Sequence, residues 1–147
     1  MGCGKTLTAI AIMGALYQER RIDRVLVVAP TSVVSVWPKE LKEYAAFEFT
    51  ASPLLGDKTK RLKAIKDLMK YPYPKLKVAV INYESVFRDG VNDALKEYDP
   101  DLIICDESQR IKTHNSKQSQ AMHELGDKAR YKMILSGTPV QNNVTDI

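Results

Sequence analysis

The 147-residue chain has 44% hydrophobic residues, enough for one buried core and too many for a disordered or fibrous chain. Its 22 Lys and Arg against 18 Asp and Glu leave a net charge of +4, a mild excess that suits a nucleic-acid surface and an ordinary solvated one alike. Cys3, Cys105, His114 and His123 stand in no metal-binding spacing, no apolar run approaches the ~20 residues of a membrane span, and there is no signal peptide, so the chain reads as intracellular, with no membrane partner.

The chain opens on Met1-Gly2-Cys3-Gly4-Lys5-Thr6, whose last three residues match the end of the phosphate-binding loop G-x-x-x-x-G-K-[S/T]. In such a loop, backbone N–H groups at a helix start cradle phosphates, Lys reaches the β/γ-phosphates and the hydroxyl holds Mg²⁺. The motif's first residue and the strand feeding it would precede Met1. Leu7, Ile10, Ala11, Met13, Gly14 and Leu16 then recur at helical spacing up to the polar stop Gln18-Glu19-Arg20-Arg21.

Arg24 to Ala29, closed by Pro30, is a β-branched run apolar on both faces, the pattern of a buried parallel strand. Thr31-Ser32 are placed to cap a second helix carrying Val33, Val34, Trp37, Leu41 and Tyr44, with Pro38 in its first turn or at a kink. Trp37 reads as a core residue. Phe47 to Leu55 suits an edge strand. Asp57 caps a Lys-rich helix, Lys58 to Lys70, with an apolar stripe of Leu62, Ile65, Leu68 and Met69.

Lys77–Ile81 is a third buried strand, ahead of Asn82-Tyr83-Glu84, and a helix is expected over Val91–Glu97. Leu102–Cys105 is a fourth strand running into Asp106-Glu107. Ser108 to Gln120 reads as loop and then helix. A fifth strand, Tyr131–Leu135, ends in Ser136-Gly137-Thr138-Pro139. Strands alternating with helices predict an α/β fold with a parallel sheet, which binds ligands at the carboxyl ends of its strands. Phosphoryl transfer to water needs a phosphate cradle, a carboxylate for Mg²⁺ and a base that orients water. Lys5 and Thr6 suit the first role, Asp106 the second and Glu107 the third.

M-G-C-G-K-T-L-T-A-I resembles motif I of the Swi/Snf-like branch of superfamily-two helicases, and V-L-V-V-A-P-T-S-V-V-S-V-W-P-K-E-L resembles its motif Ia. I-N-Y-E-S-V resembles motif Ib, I-I-C-D-E-S-Q-R-I-K motif II, and L-S-G-T-P-V-Q-N-N motif III, the last separating this branch from the DEAD-box proteins. The resemblance runs nearly end to end. It implies a single RecA-like P-loop NTPase lobe, the first of two in an ATP-driven translocase on double-stranded DNA. Gly2, Cys3, Gly4, Lys5, Thr6 and Leu7, with Gln109, would then meet ATP, and Thr6 and Asp106 would hold Mg²⁺. Glu107 would activate water. Ser136, Gly137 and Thr138 would couple nucleotide state to DNA grip. Pro30, Thr31, Ser32, Asn82 and Tyr83 would lie near the DNA backbone.

The chain departs from the family pattern in three places. An upstream adenine-recognising segment with its strand is missing, Gln109 stands where His is usual, and the chain stops at Asp146-Ile147 before a second lobe. That lobe would carry the arginines that complete the ATP site, an arginine finger being worth ~10³–10⁵ in rate. Taken at these ends, the chain also fits an alternative reading, a non-catalytic module that binds nucleotide, DNA or a protein without turnover. A sheet lacking its phosphate-loop strand would further expose edges that favour self-association. The compartment would be cytoplasmic in a bacterial or viral host and nuclear in a eukaryotic one.

Overall fold

The computed structural model describes residues 3–72, 74–86, 88, 90–106, 124–135 and 144–146. In chain order the elements are α1 (Cys3–Gln18), β1 (Arg24–Ala29), α2 (Thr31–Val34), α3 (Val36–Tyr44), β2 (Phe49–Pro53) and α4 (Lys58–Lys70). They continue as β3 (Leu76–Asn82), α5 (Tyr83–Val86), α6 (Val91–Tyr98), β4 (Leu102–Asp106), a helical stretch over 124–128, β5 (Tyr131–Leu135) and β6 (Val144–Asp146). The sheet runs β2-β3-β1-β4-β5-β6. Its first five strands are parallel, as the alternation of strands and helices predicts, and β6 closes the edge antiparallel to β5, a strand the sequence reading did not assign.

Strand periodicity sorts the core onto two faces. Val25, Val27, Leu76, Val78, Val80, Leu102, Ile104, Met133 and Leu135 pack beneath Ala9, Ile10 and Met13 of α1 and Trp37 and Leu41 of α3. Leu26, Val28, Ala79, Ile81, Ile103 and Cys105 pack beneath α4, α5, α6 and Leu125. Both faces of β1 and β4 are covered, which is why these strands read as unbroken apolar runs.

The helix expected after β1 is divided in two, and Thr31 and Ser32 lie inside its first turn rather than capping it. Pro30 is the N-cap, with no side-chain hydrogen bond. The break at Ser35 follows from Pro38, which has no N–H for the carbonyl of Val34 and whose ring would collide with it, so a new helix starts with Pro38 in its first turn. On α4 the buried positions are Arg61, Ile65 and Leu68, with Leu62 half-buried and Met69 38% exposed, so the inward stripe is rotated from the expected one. Arg61 takes the inner place because its Nε donates to the Leu54 carbonyl at 3.1 Å. Asp57 does cap α4, accepting from the Lys60 N–H at 2.9 Å.

The amino-terminal edge of the sheet is tied by side chains from the turn before β4. Asp101 Oδ2 accepts from the backbone N–H of Asp23 at 2.7 Å and of Arg24 at 3.1 Å. Buried Tyr98 places its hydroxyl 3.0 Å from the carbonyls of both Val25 and Lys77, bridging β1 and β3. Burial holds that phenol neutral well above the usual tyrosine range.

Candidate functional site

α1 ends one turn before β1 begins. Arg20, at φ 61°, makes that turn: its N–H meets the Tyr17 carbonyl and that of Arg21 meets Leu16, a left-handed helix stop. The 16 residues of α1 span about 24 Å and β1 about 20 Å, so α1 runs back the full length of the sheet. Gly4, Lys5 and Thr6 therefore stand at the carboxyl ends of the strands. No acidic side chain occupies the first turn of α1, which leaves the positive end of its dipole uncompensated from within the helix. Gly4 is exposed with open space around it, and Lys5 and Thr6 are half-buried. Thr8 turns its hydroxyl back onto the Gly4 carbonyl at 2.9 Å, the structural role its position in the first helix suggests. Leu7 is 45% exposed and lines an open apolar groove of about 320 Å³ between α1 and residues 44–47.

The register aligns the other residues at that edge. Ala29 pairs with Asn82, Val28 with Cys105, and Asp106 with Leu135, so Ala29, Asn82, Asp106 and Leu135 share one row. By alternation Asp106 follows Leu102 and Ile104 toward α1 and α3, on the same face as the start of α1. It is 6% exposed. Cys105 points to the opposite face, where burial pushes its thiol up to about 12, so it is a buried hydrophobe as its apolar surroundings in the sequence suggest. An oxygen set of one carboxylate and one hydroxyl, Asp106 and Thr6, brought to one edge and face beside a helix start suits Mg²⁺ and phosphate.

Asp106 is held from two sides. Trp37 Nε1 on α3 donates to its Oδ2 at 3.2 Å, and the Tyr83 hydroxyl donates to its backbone carbonyl at 2.6 Å. The sequence reading missed the first contact because it treats Trp37 as core filling; the usable signal is that a buried indole N–H needs an acceptor. Tyr83 is 2% exposed and follows β3, which β1 separates from β4, so its hydroxyl meets β4 across the top of β1. Its side chain is thus turned inward.

Thr31 and Ser32 are exposed beside buried Pro30 just past β1. Asn82 donates to Glu84 Oε1 at 3.0 Å, while its Oδ1 and the Ser85 hydroxyl are buried without a hydrogen-bond partner among the described residues. Beyond the ends of β2 and β3, the guanidinium of Arg61 is shifted down by burial and by repulsion from Arg88, a positive pair that the sequence reading did not single out. Gly2, Glu107, Gln109, Ser136, Gly137 and Thr138 lie outside the described residues, and so does the polar run from Ser108 to Gln120; Cys3 is described by its backbone alone. Among the described residues no cluster of His, Cys, Asp and Glu forms a metal site of three or more ligands, and no helix is long and apolar enough to cross a membrane.

The family model of the SNF2-related domain matches residues 1–147. The ISWI chromatin-remodeling complex ATPase ISW1 of Saccharomyces cerevisiae is 34% identical over 149 residues, a match covering 100% of this chain and 12% of that protein. The DNA repair and recombination protein RAD54-like of Drosophila erecta is 31% identical over 153 residues, covering 99% and 19%. Among solved structures, the Sulfolobus solfataricus SWI2/SNF2 ATPase core in complex with dsDNA superposes with a TM-score of 0.71 at 31% identity, over 97% of this chain and 27% of that one. The chain thus spans less than a fifth of these two relatives' length.

Proposed function

The chain belongs to the SNF2-related domain family, and from that premise we propose that it is the ATP-binding lobe of a DNA-dependent ATPase that moves on double-stranded DNA when joined by a second RecA-like lobe. The observation that carries this reading is the meeting, at one edge and on one face of the sheet, of the start of α1 with the buried carboxylate of Asp106. Backbone N–H groups of Gly4 to Thr6 receive the phosphates, joined by Gly2 and Cys3, and Lys5 sets its ammonium against their charge. Leu7 and Gln109 flank the nucleotide. Thr6 and Asp106 hold the metal, and Glu107, one residue beyond β4, orients the attacking water. Bound Mg²⁺ supplies offsetting charge for the phosphates during transfer.

The DNA side is built from the segments that follow β1 and β3. Thr31 and Ser32 present exposed hydroxyls, and Arg61 and Arg88 add positive charge at the same edge, features that suit the phosphate backbone rather than base edges. Ser136, Gly137 and Thr138, which follow Leu135 in the sequence, are assigned to coupling the nucleotide to the DNA grip.

Calorimetric titration of Mg·ATP into the protein and its Lys5→Ala variant tests the assignment. Binding weakened at least 10-fold by the substitution is expected, in line with the loss of a charge-assisted contact to phosphate. Equal affinity in the two proteins would overturn it. In the longer protein, Glu107→Gln should abolish DNA-stimulated hydrolysis while leaving binding intact.

A further inference from the structure

We propose that Trp37 and Tyr83 are positioning residues for Asp106, fixing the carboxylate that receives the metal from the two segments expected to face DNA. The inference rests on the reading of Asp106 as the metal carboxylate. Its basis is a pair of hydrogen bonds that converge on one residue from different elements. Trp37 Nε1 meets the side-chain Oδ2 at 3.2 Å, and the Tyr83 hydroxyl meets the backbone carbonyl at 2.6 Å.

Neither contact is needed merely to fill space. Trp37 is 1% exposed among Val34, Leu41 and Ile104, a site a phenylalanine ring could fill with apolar contact alone. What the indole adds is one directed N–H, given to a carboxylate oxygen in a nearly dry setting, where such a bond sets the rotamer of its acceptor. The second bond acts on the backbone. β4 ends at Asp106, and the hydroxyl of Tyr83 fastens its carbonyl to the start of α5 across β1. Side chain and main chain of Asp106 are therefore pinned independently. The pins stand on α3, five residues beyond Ser32, and on the residue after Asn82, so displacement of either segment by a ligand is transmitted to the carboxylate.

The test is direct metal binding to the nucleotide-free protein, read from the loss of the free-ion paramagnetic signal of Mn²⁺ used in place of Mg²⁺. Trp37→Phe and Tyr83→Phe should each raise the half-saturating Mn²⁺ concentration about 10-fold or more. ATP affinity in EDTA should stay within about twofold, a separation that general loosening of the core would not produce. Unchanged Mn²⁺ affinity in a folded Trp37→Phe overturns the inference; should that variant fail to fold, unchanged affinity in Tyr83→Phe, which removes a single oxygen, overturns it. Asp106→Asn separates the two levels of argument. Tight Mn²⁺ binding by that variant sinks the metal assignment itself, whereas its loss together with unaffected Trp37→Phe and Tyr83→Phe sinks only the positioning role.

Discussion

The two ends of the same sheet are finished in opposite ways. At the amino-terminal edge the polar groups are matched: Asp101 takes two backbone N–H groups, Tyr98 spans two carbonyls, and the backbone N–H groups of Lys77, Asp101 and Tyr131 donate to the carbonyls of Asp23, Arg24 and Asp101. At the carboxyl edge Asp106 is buried, the Asn82 Oδ1 and Ser85 Oγ atoms have no partner among the described residues, and Arg61 lies within repulsive reach of Arg88. A buried polar atom left unpaired costs about 1–3 kcal/mol, so an edge that retains several is one not built for stability. The contrast teaches that one end of the sheet uses its polar groups to hold the strands in register, while the other buries polar groups that do no such work.

The sharpest way to break that contrast is at its stable end. Tyr98→Phe removes the hydroxyl between the Val25 and Lys77 carbonyls and should cost about 1–3 kcal/mol, lowering Tm by several degrees with no change in Mg·ATP affinity. Loss of nucleotide binding in that variant, with the fold intact, would show that the two edges are not separable. A weaker effect is expected from pH. Burial raises the Tyr98 phenol far above its unfolded value near 10, so above that pH the unfolded chain loses a proton that the folded one keeps. The unfolded state then binds fewer protons, and stability falls with rising pH, by a slope that grows through pH 10 toward a limit of about 1.4 kcal/mol per unit for this group. Denaturant midpoints measured from pH 9 to 11 should show a slope that is shallower in Tyr98→Phe. The smallest effect belongs to the carboxyl edge. Ser85→Ala deletes an unpaired buried hydroxyl and should change stability by no more than about 0.5 kcal/mol, or raise it. A loss near 2 kcal/mol would mean that the hydroxyl is partnered in solution.

The parallel strands β1, β3 and β4 were legible in the sequence because burial on both faces leaves an apolar run, while half-buried β5 shows only Met133 to Leu135. The placement of Gly4-Lys5-Thr6 at a helix start and of Asp106 at a strand end was legible because both boundaries show in the local apolar pattern. Other features were not. The division of α2 from α3 turned on whether Pro38 would fall in a first turn or an interior one, which local spacing leaves open. The rotation of the α4 stripe turned on a carbonyl at Leu54 that only the folded chain brings to Arg61. The antiparallel β6 is three residues long, too short to show any periodicity.

The sequence alone determined which residues could bind phosphate and metal, and that a parallel sheet would carry them, since both follow from chemistry and periodicity confined to a few neighbouring positions. Only the tertiary structure decided that Trp37 and Tyr83 meet at Asp106. They stand 69 and 23 residues away along the chain, and the crossover of β3 past β1 and the register of the strands bring them within hydrogen-bond distance. A hydrogen bond acts over about 3 Å and is indifferent to separation along the chain, so no local pattern records it.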